Sequence, residues 1–212
     1  MAADAFPVTG TGKSFKSASG VGSLADPFVP AVALMSPADA GSEAYVGKVG
    51  SVQVAISGTV GGATTIAAAV DYSANDIVSD SDSAGSAWLF TGLARYSGGT
   101  GVAYRANITC SVDALAPRLR LWLFNSNPSA STLNDNAAFS IAAADRTKII
   151  GYIDFAAMAD AGAVSYTQNI TDRLGFAAVG SANVYGILQT LDAFTNEAAS
   201  MTVTVTLFAV QD

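Results

Sequence analysis

The chain contains no histidine. That absence removes the commonest general base, the Ser-His-Asp nucleophile system and the usual imidazole ligands of zinc or copper. Cys110, the single cysteine among 212 residues, excludes an internal disulfide, a thiolate-rich metal site and a Cys-His nucleophile. It lies in an alternating apolar series and is expected to be a buried free thiol. Charge is scarce too: only 13% of residues are charged, and Glu43 and Glu197 are the only glutamates. With a net charge of −7 and ten scattered Lys and Arg, the chain lacks the basic stripe that phosphate binding needs, so no nucleic-acid partner is expected. No stretch approaches about 18 continuous apolar residues, so no membrane partner is expected either. Residues 1–7 show no basic region followed by an apolar one, which points to a protein made in a cytoplasm.

Half of the residues are apolar. Solvent-facing positions must therefore be filled largely by Ser, Thr, Asn, Gly and Ala, and such a surface invites association unless assembly already covers it. A secreted or halotolerant composition is the simpler alternative. Pro7, Pro27, Pro30 and Pro37 supply four of the six prolines within residues 1–50, a Gly/Ser/Pro-rich stretch without periodicity. This stretch reads as an extended N-terminal arm able to order against a neighbour, or as an ordinary leading loop. Residues 51–212 form the expected folded domain.

From residue 51 a period of two recurs, beginning with Val52, Val54 and Ile56. Val102, Tyr104, Ala106, Ile108, Cys110 and Val112 should face a core, with Arg105, Asn107, Thr109 and Ser111 opposite. Leu119, Leu121 and Leu123 alternate with Arg118, Arg120, Trp122 and Phe124, so that strand should be covered on both sides. Further strands are expected over 64–72, 86–96, 147–154, 163–170, 183–191 and 201–210, the last in strict Thr/Val alternation. A short helix is expected over 136–146, with Asn134 and Asp135 as caps. The pattern predicts an all-β fold: an antiparallel β-sandwich of jelly-roll type with an N-terminal arm and one or two short helices, a closed barrel being the competitor.

Motifs that suggest chemistry fall short of it. Gly10-Thr11-Gly12-Lys13-Ser14 resembles the end of a phosphate loop, but Pro7 stands where its first glycine belongs and no apolar strand precedes it. Asp80-Ser81-Asp82-Ser83-Ala84-Gly85 copies part of a calcium loop, yet Ala84 and Thr91 occupy ligand positions, so a polar surface loop is the better reading. Asp154 and Asp160, flanking Phe155–Met158, form the one carboxylate pair to weigh for glycoside hydrolysis, and a turn role is the better account. The sequons at Asn107 and Asn169 should be unused without export. Arg118 and Arg120 near Trp122 read as a polar edge or an intersubunit contact. No catalytic, cofactor-binding or metal residue is assigned, and the chain is expected not to be an enzyme.

The strings Ala116-Pro117-Arg118-Leu119-Arg120-Leu121-Trp122-Leu123-Phe124-Asn125, Asn127-Pro128, Leu133-Asn134-Asp135-Asn136-Ala137-Ala138-Phe139 and Ile149-Ile150-Gly151-Tyr152-Ile153-Asp154-Phe155 resemble small structural proteins of tailed bacteriophages. Tyr72–Val78 and Ala25–Pro30 are similar to the same group. The resemblance implies a virion component, a capsid decoration or cement protein on the capsid surface. It would bind the major capsid protein and copies of itself as a homo-oligomer, a trimer being one option, with the arm spread over the capsid. A tail, collar or fibre module and a carbohydrate-binding adhesin are the alternatives; exposed aromatic platforms would favour the adhesin, and elongated repeats, which are not visible, the fibre. Loops 79–86 and 97–101 are candidates for receptor contact.

Overall fold

The computed structural model describes residues 52–66, 71–170, 172–195 and 201–212. The arm expected over residues 1–50, with the Gly10–Ser14 motif, lies outside them. Eleven strands run through the described residues: β1 (Val52–Ser57), β2 (Ile77–Val78), β3 (Trp88–Phe90), β4 (Thr100–Cys110), β5 (Leu119–Phe124), β6 (Ile149–Phe155), β7 (Ala159–Asp160), β8 (Ser165–Asn169), β9 (Leu174–Ala177), β10 (Val184–Thr190) and β11 (Val203–Gln211). The first sheet has the order β1-β11-β4-β8-β7, with β9 pairing the other end of β4. The second has the order β2-β10-β5-β6, with β3 also on β10. All the strand pairs are antiparallel, and four sets of them nest, β1 with β11, β2 and β3 with β10, β4 with β8 and β9, and β5 with β6, while β11 also joins β4 and β10 joins β5 to complete the two sheets. A long hairpin rolled into two facing sheets has this connectivity, so the sandwich is a jelly roll.

The inner faces are built as the alternation requires. Val203, Val205, Leu207 and Ala209 of β11 meet Ala106, Ile108 and Cys110 of β4, and Leu119, Leu121 and Leu123 of β5 close over them from the second sheet, all buried. Trp88 is buried and donates its indole N–H to the Val78 carbonyl at 2.9 Å, so the largest core side chain carries no unpaired polar atom. Close approach explains Gly186 on β10, where a Cβ would stand 2.9 Å from a Leu121 methyl and 3.2 Å from the Phe90 ring. Cys110 is buried, and its thiol contacts the Met201 sulfur at 3.3 Å.

β5 is covered on both sides, as its sequence requires. Phe124 points away from the main core yet is fully buried, joining Ile77 and Ile187 in a second cluster packed by Trp122, Leu133, Phe139 and Ile141. The cover is the segment 125–142, and here a correction is needed. Residues 136–146 are not a helix; only Ala143–Lys148 coil, as a 3₁₀ stretch whose N-cap is Ala142. Asn136 has φ of 55°, and the backbones of Asn136, Ala137 and Phe139 bond to Ile77 and Asn75 instead of to each other. Stacking of Phe139 on Trp122, with ring centroids 5.3 Å apart, outweighs the helix propensity of the alanines. Asp135 is no cap: it is buried and accepts the Tyr72 hydroxyl.

Three further expectations change. Residues 86–96 yield only the short β3 before turns begin, and 64–72 shows isolated bridges at Thr65 and Tyr72, residues 67–70 lying outside the described set. β2, β7 and β9, two to four residues long, had no legible period. In β4 a bulge opposite Phe208 and Ala209 breaks the alternation, so Val102 and Tyr104 face outward while Gly101 and Ala103 are buried.

Truncating Leu121, fully buried between the sheets, to alanine should cost about 2–5 kcal/mol in urea unfolding, whereas Thr206→Ala on the outer face should cost under about 0.5 kcal/mol. Cys110 should resist a thiol reagent in the native protein and react fully in denaturant, because burial also pushes its thiol up from the usual range.

Candidate interaction face

The outward side of the first sheet is mostly uncharged. Its positions are Gln53, Ala55 and Ser57 on β1; Thr204, Thr206, Phe208 and Val210 on β11; Asn107 and Thr109 on β4; and Tyr166 and Gln168 on β8. No carboxylate stands among them; Asp212 sits at one end, accepting from the Thr100 hydroxyl at 3.3 Å. The β4 bulge delivers Tyr104 and Arg105 together onto this face. Arg105 lays its guanidinium over the Phe208 ring, 4.6 Å from the centroid, and its Nε is buried without a hydrogen-bond partner. Beside the pair, Gln53, Val102, Tyr104, Arg173 and Val210 line an open groove of about 530 Å³.

The other ion pairs are self-contained. Arg118 meets Asp192 through two N–H···O bonds at 2.9 and 2.7 Å, and Arg120 meets Asp154 likewise at 2.5 and 2.9 Å. The Arg118 guanidinium holds the Asp192 carboxyl at about 2, well below its ordinary value. Lys148 lies 2.8 Å from the buried Asp145, which also accepts from Ser131 and Ala130. Burial works against that carboxylate, but the three donors outweigh it and hold the group below its usual range. So Arg118 and Arg120 each pair with a carboxylate of their own chain. Asp154 stands near the end of β6, opposite Arg120 in the β5–β6 ladder, while Asp160 accepts the Gly162 N–H in a turn.

Asp80–Gly85 closes on itself. Asp80 accepts the Ser86 N–H at 2.7 Å and the Ser79 hydroxyl at 3.0 Å, Ser81 accepts from Ser83 and Ala84, and Gly85 sits so close to Leu133 that a Cβ would strike its carbonyl oxygen. Among the described residues no set of three Cys, Asp or Glu gathers to hold a metal ion. Asn107 lies mid-strand in β4, and the Asn169 amide donates to the Asp154 carbonyl at 2.7 Å.

One buried titratable pair is structural. Asp135 accepts the Tyr72 hydroxyl at 2.9 and 3.0 Å and the Ser79 N–H at 2.7 Å, while the Tyr72 ring stacks on Phe194 at 4.7 Å. Burial pushes the Asp135 carboxyl up, and burial with the neighbouring carboxylate pushes the Tyr72 phenol up. The groups satisfy one another and pin the 72–79 segment to the 134–136 turn.

Sequence reasoning missed the face because the bulge hides it: Tyr104 and Arg105 are adjacent, and strict alternation sends one of them inward. The signal that was available is the run of small residues Gly101 and Ala103 opposite bulky Phe176, into whose ring a Cβ on Gly101 would run at 2.6 Å. Among the described residues no helix is long and apolar enough to cross a membrane. No protein-family model, no curated protein and no solved structure matches the chain.

The pH dependence has two opposing parts. Asp192 is held low in the folded state, so its stabilisation is present above the unfolded value of about 3.9 and is lost as pH falls towards 2. Asp135 is raised, so its protonation favours the fold as pH falls and offsets part of that loss. Carboxyl-carbon NMR should give Asp192 a midpoint near 2, returning towards about 3.9 in Arg118→Ala.

Proposed function

We propose that the chain is a structural virion protein, a capsid decoration protein that docks the outward face of its first sheet on the capsid lattice and cements neighbouring major capsid subunits. The observation that carries this reading is the face itself: a whole sheet side without an internal carboxylate, filled by Thr, Asn, Gln and Ser around a half-buried Phe208–Arg105 pair. Such a side is poor at keeping a protein apart from its neighbours and well suited to broad, flat contact. The resemblance of the β5 and β6 strings to tailed-phage structural proteins points the same way. A protein that binds only the assembled lattice stabilises it by mass action, and copies joined in an oligomer turn weak single contacts into avidity. On this reading the partners are the major capsid protein and further copies of this chain, and the location is the capsid surface. Jelly rolls host many unrelated functions, so the topology alone does not carry the proposal.

A second reading has one observation in its favour. Tyr152 is 47% exposed on the outer side of the second sheet, with the Arg120 guanidinium 4.1 Å from its ring centroid, an arrangement that a glycan-binding adhesin uses.

Purified protein mixed with matching capsids that lack it should co-sediment, with added density at regular sites across the head when imaged. Density confined to the tail or a vertex, or an absence of binding, overturns decoration in favour of the fibre or adhesin readings.

A further inference from the structure

β1 ends the first sheet, and among the described residues no strand lies beyond it. Its sequence, Val-Gln-Val-Ala-Ile-Ser, carries no charge and no proline, and its ladder with β11 runs without a bulge. Those are the devices that ordinarily stop an edge from pairing with another chain. β2, β3 and β7, which also border the sheets, have only two or three residues, and the Asn169 amide takes the Asp154 carbonyl of β6.

The register fixes which groups the open edge offers. The Gly58 N–H bonds the Val205 carbonyl in line with the β1–β11 ladder, so Ile56, Val54 and Val52 turn their backbone groups towards β11. Gln53 and Ala55 therefore turn theirs to the edge. Thr59 is already bonded to Leu89, which closes the edge beyond Ser57 and confines further pairing to residues 52–56. On the inner side Val52 is 37% exposed, and Val54 and Ile56 are only partly buried against the core, so an apolar row is left uncovered along this strand.

We propose that β1 pairs antiparallel with β1 of a second copy about a two-fold axis at Val54, joining two sandwiches through one continuous sheet. That register sets Val52 of each copy against Ile56 of the other and Val54 against its own counterpart, so the whole apolar row is covered by itself. Each Gln53–Ala55 contact across the axis exchanges a pair of main-chain hydrogen bonds. An edge without charge gives a charged segment nothing to pair with, whereas a copy of β1 is a neutral strand whose apolar residues fall opposite its own. The contact is small, so it is weak alone and gains by avidity once copies are held side by side. The inference deepens the reading that copies of this chain join, naming the strand that joins them, and it is tested on free protein, so its failure leaves capsid binding untouched.

In sedimentation velocity of the full chain, monomer should give way to dimer between about 1 μM and 1 mM, the range that an interface of this size allows. Over the same range amide exchange at Gln53 and Ala55 should slow with concentration, while Val54 and Ile56, bonded to β11, stay protected throughout. Under oxidation a mixture of Gln53→Cys and Ala55→Cys proteins should cross-link into a heterodimer more than either variant does with itself, because the two-fold sets those two positions opposite one another. Ala55→Pro removes an N–H that β11 does not use and should weaken the dimer at least about tenfold with the thermal midpoint unchanged. Gln53→Lys combined with Ala55→Lys, which sets like charges across the axis, should do the same without a backbone change. A chain still monomeric at the upper concentration, self-association that neither variant weakens, a trimer, or preferential cross-linking of Gln53→Cys with itself overturns the pairing. Protection of Gln53 and Ala55 at every concentration also overturns it, assigning the edge to residues 1–50 of the same chain.

Discussion

The first sheet depends on its last strand. β11 lies between β1 and β4, pairing with β4 along its whole length and with β1 over Thr206–Gln211, so the residues that enter the sheet first are held only by those that arrive last. Until Val203–Gln211 is in place, β1 and β4 have bare edges and one wall of the core is missing. Nested pairing places nearly all the stabilising contacts far apart in sequence, which makes such a fold slow to form and exposes its edges meanwhile. The strict Thr/Val alternation of β11 answers that demand: every second side chain is committed to the core, so a slip of one residue would invert the strand.

How much of this was legible follows from where the period of two survives. β1, β5, β8 and β11 alternate over most of their five to nine residues, and reading that alternation recovers them within one or two residues at each end; β6 and β10, which do not alternate strictly, are recovered as closely. The jelly-roll type followed from the number and spacing of those strands. What was not legible depends on partners distant in sequence. The segment 136–142 reads as helical from its alanines alone, and only the presence of Trp122 and Ile77 turns it into a sheet cover. β2 and β9 are strands because β10 and β4 offer them edges, not because Ile77–Val78 or Leu174–Ala177 carries a pattern. The candidate face had the weakest signal, since Arg105 looked like any outward polar residue until the bulge placed Tyr104 beside it.

The polar chemistry of the domain is mostly inward and mutual. Asp135 serves Tyr72 and Ser79, Asp145 serves Lys148 and Ser131, Gln211 donates to the Gly92 and Leu93 carbonyls, and each set ties one loop to another. Buried polar groups satisfied in this way give rigidity and specificity to loops that have little apolar surface of their own. With no histidine in the chain, no side chain of unperturbed pKa titrates between about pH 5 and 8, and Asp135, pushed up by burial, is the raised carboxyl among these ties.

The bulge in β4 divides one continuous strand into two lengths whose inward and outward sides are out of phase. Insertions and deletions are ordinarily absorbed at loop tips, and the rim loops of this sandwich can vary in that way. Loss of a single residue at Tyr104 would behave differently. It would bring the two lengths back into phase with Val102 still outward and Ala103 still inward, and would remove the second outward side chain beside Arg105 without shortening any loop. Mid-sheet, where substitution is the usual currency of change, this is one position at which chain length itself sets what the outer face presents.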